Sequence, residues 1–386
     1  MSRIDELIQE MCPDGVPYAS LGTIANIGTG ESDRKEASDH GKYPFYVRSK
    51  TILRKDTYEF DEKAIVIPGE GGIGEIFHYV SGKYALHQRA YRISFITAEV
   101  SPRFAYFYLY SRFRKHILSK AVDATVSSIR KPMIESFPVP VPPLAVQDEI
   151  VRILDTFTEL EAELEAELDA RRLQYHYLRR EIFDLTSRKG VPWSTLGDVS
   201  SRVSSGGTPR VGIAEYYGGN IPWLRTQEVD FASIYSTGVH ITEAGLQNSS
   251  ANWIPKHSVI VAMYGATAGK VAINEIPLTT NQACCNLEID PKKAHYRYVF
   301  FWIASQYGRL KAFGEGSQGN LNARKVRDFP IPLPTLSEQN RVASLLLQFD
   351  ILVNDLGFGL PAEITARRQQ YEYYRDKLLT FEELVA

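Results

Sequence analysis

The chain has 386 residues, enough for two domains of ordinary size. Hydrophobic residues make up 44% and charged residues 23%, a soluble globular composition, and no apolar run reaches the ~20 residues of a membrane helix. The formal net charge of −2 speaks against a simple polyanion binder, and three cysteines, Cys12, Cys284 and Cys285, cannot make a disulfide framework or a CxxC zinc site.

In chain order, residues 1–11 (MSRIDELIQEM) read as a short helical stub. Acidic residues stand where a signal peptide would be basic, so a cytoplasmic protein is expected. Residues 12–143 read as a mixed domain. Short β-rich runs (AIVIP, HYVSGKY, AYRISFI) alternate with Gly and Pro turns, and an aromatic helical stretch follows at 102–120. The alternating prolines of FPVPVPP, starting at Phe137, forbid a helix and predict an extended strap. Residues 144–186 carry a seam at alternating steps of four and three: Ile150, Leu154, Phe157, Glu161, Leu164, Leu168, Arg171, Tyr175, Leu178, Ile182 and Leu185. Nine of these eleven are apolar or aromatic, which predicts a coiled-coil helix.

Residues 187–334 repeat the mixed pattern, with strands at SVIVAMY and GKVAIN and an aromatic helical stretch at 294–312. Residues 335–386 form a second seam: Val342, Leu346, Phe349, Val353, Leu356, Leu360, Ile364, Arg367, Tyr371, Tyr374 and Leu378. The step from Leu360 to Ile364 is a second consecutive four, a stutter, and Gly357, Gly359 and Pro361 beside it predict a break near 357–361. Ser337, with Glu338 and Gln339, is the candidate N-cap.

The two halves are copies of one unit. FPVPVPPLAVQDEIVRILDTF (137–157) matches FPIPLPTLSEQNRVASLLLQF (329–349), ARRLQYHYLRR (170–180) matches ARRQQYEYYRD (366–376), and GVPYASLG (15–22) matches GVPWSTLG (190–197). Weaker echoes keep the same order: KYPFYVR with NIPWLR, AIVIPGEGGIGEI with VIVAMYGATAGKV, His87-Gln88 with Asn281-Gln282, and FAYFYLYS (104–111) with YVFFWIAS (298–305). The register slips by about 20 residues around 208–255, so the second copy carries an insertion there. The repeat is circular, because residues 1–11 align with 176–186. Charge follows this plan. Residues 12–143 hold 18 basic and 14 acidic side chains and residues 187–334 hold 15 and 10, whereas the helical stretches are net negative.

Catalytic signatures are missing from the sequence. Gly69-Glu70-Gly71-Gly72-Ile73-Gly74 fits GxGxxG, but a strand-like segment follows it instead of the helix that would hold a phosphate. GATAGKV (265–271) lacks the spacing and the hydroxyl of a P-loop. Both read as strand–turn–strand connections. Asp61-Glu62-Lys63 satisfies a nuclease DxK by chance, and the histidines show no metal-ligand spacing.

Two variable domains, each closed by an F-P-[VI]-P-[VL]-P strap, an apolar helix and an ARR-x-QY stretch, resemble the specificity subunits of type I restriction–modification enzymes. GATAGKVAI, TNQ (280–282) and NIPWLRTQEV (220–229) add to the resemblance, which spans essentially the whole chain. It implies an α+β fold: two mixed α/β target-recognition domains separated by a pair of long antiparallel coiled-coil helices, with an internal pseudo-two-fold repeat. It implies that the chain is no enzyme but a DNA-binding subunit reading a split double-stranded target. Two modification (methyltransferase) subunits and the restriction/translocase subunits would be its partners, and S-adenosylmethionine, ATP and magnesium would belong to them.

Base readers are usually Arg, Lys, Asn and Gln on loops. The first domain offers Arg48, Lys50, Arg54, His87, Gln88, Arg130 and Lys131. The second offers Arg225, Gln227, Lys270, Asn281, Gln282, Gln318, Asn320, Asn322 and Arg324. Gln88 and Gln282 could instead make a structural hydrogen bond repeated with the fold, and Gln147 and Gln339 could either dock partners or cap their helices. A coiled-coil scaffold that joins two proteins without reading DNA is the alternative reading.

Overall fold

In a computed structural model of the chain, residues 3–120, 128–186, 190–314, 321–355 and 357–384 are described. Gln318, Asn320 and the seam residue Leu356 lie outside them. The chain folds as two units that are discontinuous in sequence, as a circular repeat permits: Met1–Glu165 with Glu363–Ala386, and Ala166–Ala362.

The first unit is built on a six-stranded sheet, in the order Ala25–Thr29, Ala90–Phe95, Phe60–Pro68, His78–Leu86, Tyr43–Tyr46, Leu53–Lys55. Every pairing is antiparallel except Tyr43–Tyr46 on His78–Leu86. The strand AIVIP is apolar on both faces and is used on both. Ile65 and Ile67 enter the main core with Phe104, Phe107 and Phe113, while Ala64 and Val66 pack with Tyr46, Val80 and Tyr84. The aromatic helix Pro102–Lys120 is therefore core, as its spacing predicts.

The second unit divides the same plan into two sheets. One orders Ser200–Ser205, Cys284–Ile289, Val259–Ala262, Val271–Asn274 and Ser233–Ile234. The other orders His240–Ile241, Tyr217–Leu224, Leu278–Thr280 and Trp253–Ile254. The division falls between Val271–Asn274 and Leu278–Thr280, where Pro277 offers no backbone donor to a ladder. The first unit runs one continuous strand, His78–Leu86, through the equivalent place. The extra residues of this copy supply the helix Glu243–Gln247 and the short strands around it.

Two repeated motifs prove to be partners. The strap Pro138–Pro140 pairs antiparallel with Tyr18–Ser20, and Pro330–Pro332 pairs with Trp193–Thr195. Gln147 and Gln339 follow these straps and are fully buried. Gln147 donates to the carbonyls of Glu99 and Pro142, both at 2.7 Å, and accepts from the Ser101 amide at 2.8 Å. Gln339 accepts from the His295 amide at 2.9 Å and donates to the carbonyls of Pro334 and Lys293. Both amides are spent inside the fold, so neither is a docking side chain.

The first long helix runs Leu144–Thr186, and the second is divided into Leu336–Asn354 and Leu360–Leu378. Asp355 accepts the amides of Gly357 and Phe358, and Pro361 sits in the first turn of the new helix, where a missing donor costs nothing. The N-cap is Thr335, not Ser337. Its hydroxyl accepts from the Glu338 amide, because the strap ends two residues earlier than the capping pattern suggests. The seam is used within each unit. Phe157 packs on Tyr371 and Tyr374 in the first, and Tyr175 stacks on Phe349 in the second. Among the described residues no helix is long and apolar enough to cross a membrane.

Candidate nucleic-acid interface

In each unit the parallel strand pair gathers loops at one end of the sheet. In the first, the His87 amide donates to Tyr46 and the Gly69 amide to Arg89, both at 2.9 Å, and the Ser32 amide to Leu86 at 3.2 Å. In the second, the Asn281 amide donates to Leu224, the Met263 amide to Ala283 and the Gly207 amide to Thr280, at 2.8–2.9 Å. The backbone frame recurs, with the amide of the closing loop one residue further from its glycine in the first copy, and Gly30 and Gly206 seal it. A Cβ at either would run into the carbonyl of Leu86 or Thr280, so only glycine lets the next loop come this close. That glycine pair escaped sequence reading, because its surroundings (GTGES, SSGGT) share little else.

The side chains on the frame differ. Arg48 and Arg89 both reach Glu70, at 2.8 and 3.1 Å, so the cluster carries one uncompensated positive charge. Lys50 is exposed on the same loop as Arg48. Arg130 adjoins this cluster, since the Ile129 amide donates to Gly69, while Lys131 pairs along its short helix with Glu135. In the second unit Arg225 faces Glu228 at 3.6 Å, Lys270 contacts Asp230 at 2.6 Å, and Gln227 is exposed between them in sequence.

Other candidates are placed differently from the sequence expectation. Arg54 lies on an edge strand and donates to the carbonyls of Gly41 and Lys42, at 2.6 and 2.9 Å. His87 is buried, and its Nδ1 accepts the Arg89 amide at 3.0 Å. Burial, then the nearby Arg48, push the His87 pKa down, so the ring is a neutral loop anchor and not an exposed reader. Asn281 accepts from the Ala283 amide as a turn residue. Gln88 and Gln282 are exposed, and each bonds the loop after the glycine: Gln88 donates to Asp33 at 3.5 Å, and Gln282 accepts from Thr208. The two bonds run in opposite directions, so each glutamine makes its own contact with the neighbouring loop. Asn322 caps the helix Ala323–Arg327 and Arg324 pairs with Asp328, on an element apart from these loops.

Arg34, Lys35 and Arg210 are further exposed cations beside these candidates. They lie on the Gln-pinned loops, and a loop signalled only by one glycine offers no periodicity to find it by.

Comparison with known proteins decides the family. The model for the type I restriction modification DNA specificity domain matches residues 13–170 and again 189–366. The chain belongs to this family, with two copies of its domain. Family membership agrees with the expected α+β repeat and with a non-catalytic specificity component. The type I restriction enzyme EcoR124I/EcoR124II specificity subunit of Escherichia coli is 36% identical over 260 residues, 64% of this chain; the match spans 63%, under two thirds, of that relative's length. A Haemophilus influenzae protein bearing the same class name is 26% identical over 95% of this chain and 96% of its own. The crystal structure of the type I restriction–modification S subunit from M. genitalium superposes with a TM-score of 0.62 at 15% identity, covering 95% of this chain and 96% of that one, and so shares the fold.

Proposed function

We propose that this specificity protein reads a split double-stranded DNA target, one half through each recognition domain. The observation that carries this is the loop frame built twice from corresponding backbone bonds but tipped with different polar side chains, Arg48, Lys50, Arg89 and Arg130 against Arg225, Gln227, Lys270 and Gln282. Loop tips set base choice and a common root sets orientation. Two unequal tips call for two unequal half-sites, with the spacer helices setting their separation.

Adenine methylation of the target falls to partners. Two modification subunits dock, one per repeat, and bring S-adenosylmethionine; restriction subunits bring ATP and magnesium. The complex acts in the cytoplasm. The modest basic excess of each domain suffices when partners supply most phosphate contacts. The test is a methylome of cells with and without this chain, in the presence of its modification partner. One bipartite sequence should gain methylation; an unchanged pattern overturns the proposal and favours the scaffold reading.

A further inference from the structure

The two copies differ at one place that base reading does not involve. In the first unit, Arg375 lies 5.9 Å from the Tyr110 ring and 5.7 Å from Tyr371. Arg368 is held by the carboxylates of Glu161, at 2.5 Å, and Glu165. The ring and the carboxylates come from the chain itself.

The repeat places Arg179 and Arg172 at the equivalent positions of the second unit, with Tyr175 for Tyr371. Arg179 lies 5.5 Å from the Tyr175 ring, as its counterpart does. But Ala304 stands where the first copy has Tyr110, and Val353 where it has Glu161. Gly357 replaces Glu165 and His176 replaces Glu372. The ring and the two carboxylates that meet the first copy's arginines are gone, and a cavity of about 510 Å³ opens, lined by Arg172, His176, Arg179, Ala304 and Val353. Arg172 retains only a 3.7 Å pairing with Asp169 on its own helix, among the described residues. The one carboxylate in the lining, Asp350, stands where the first copy has Thr158; it accepts from the Tyr175 hydroxyl at 3.2 Å and from Asn354 at 2.9 Å and lies near enough to Arg179 to act on it, so Arg172 is the cation that lacks a carboxylate from across the cavity.

We infer that this cavity receives an acidic aromatic segment of a partner polypeptide, whose ring takes the place of Tyr110 beside Arg179 and whose carboxylates take the place of Glu161 and Glu165 beside Arg172. The first copy shows the chemistry that satisfies these cations. A ring under a guanidinium and a carboxylate in its fork are both favourable once water is displaced. A chain that supplies them in one half and omits them in the other is built to accept them from outside in that half alone. The inference does not depend on DNA reading.

The test is calorimetric titration of the full chain with the blocked tripeptide acetyl-Glu-Tyr-Glu-amide. Saturable binding is expected, at least about tenfold tighter than for acetyl-Lys-Tyr-Lys-amide. Ala304→Tyr fills the ring site and should weaken binding by about tenfold or more, while Arg172→Ala and Arg179→Ala should each weaken it several-fold. The arginine variants keep the test decisive if the tyrosine does not fit. No saturable binding by the folded chain, or equal binding by the variants that fold, overturns the inference. Free 4-hydroxyphenylacetate binding as tightly as the tripeptide also overturns it, by assigning the cavity to a small aromatic acid.

Discussion

The first and second recognition domains share their roots and differ at their tips. Gln147 and Gln339 lock strap to helix through the same bonds, and the loops meet through corresponding backbone contacts. Above that frame, one copy clusters Arg48 and Arg89 on Glu70, while the other separates Arg225–Glu228 from Lys270–Asp230. Backbone bonds at the roots are indifferent to side chains, so a duplicated gene can hold them fixed while tips diverge. Specificity can then change without refolding the scaffold.

The frame predicts the largest effects. Gly30→Val or Gly206→Val drives a side chain into a backbone carbonyl that cannot yield. Each should cost about 4 kcal/mol or more of domain stability. In the assembled complex, each should abolish discrimination at one half-site and leave the other intact. Loss of both half-sites from either single change would show that the domains do not read independently. Next come Gln147→Ala and Gln339→Ala. Each leaves a buried amide and buried carbonyls without partners, at about 3 kcal/mol by denaturant unfolding. The two values should agree, since the bonds do. A cost at Gln339 with none at Gln147 would break the equivalence of the locks.

Much of the frame was legible because it repeats. The heptad steps marked both helices, the prolines marked the straps, and the Gly357–Pro361 cluster marked the break where Asp355 turns the chain. What stayed hidden is tertiary. Nothing in the sequence says that the strap pairs with the GVP segment, or that Gly30 touches Leu86 across the sheet. His87 reads as polar and is buried; Arg54 reads as free and is held by two carbonyls. Arg34 and Arg210 sit on loops of different sequence, so alignment of the copies passes over them. Residue type identifies capacity for a hydrogen bond, but only the packed neighbours show whether that capacity is already used.

Smaller effects test the tips. Arg48→Ala leaves Glu70 with Arg89 and should cost about 1–3 kcal/mol in binding of the first half-site. Stability should shift by under about 1 kcal/mol, because both partners are half exposed and solvent screens the pair. Competition between duplexes altered in one half would detect this; equal losses at both half-sites would make Arg48 a general phosphate contact.

The smallest effect separates the copies by pH. His87 in the first frame stands where the second has Asn281. Burial and Arg48 depress the His87 pKa below its ordinary value, with Arg89 acting in the same direction and Asp33 and Glu70 opposing. The folded loop therefore binds fewer protons than the unfolded one around the ordinary histidine range, about pH 6.5. Its stability is present above that range and is lost as pH falls through it toward the depressed value. Binding of the first half-site should weaken a few-fold between neutral pH and the lower end of that window. His87→Asn, which installs the second copy's residue, should remove most of the difference between the half-sites. Retention of the full pH dependence in that variant would place the titrating group elsewhere, and would leave the two anchors equivalent in spite of their chemistry.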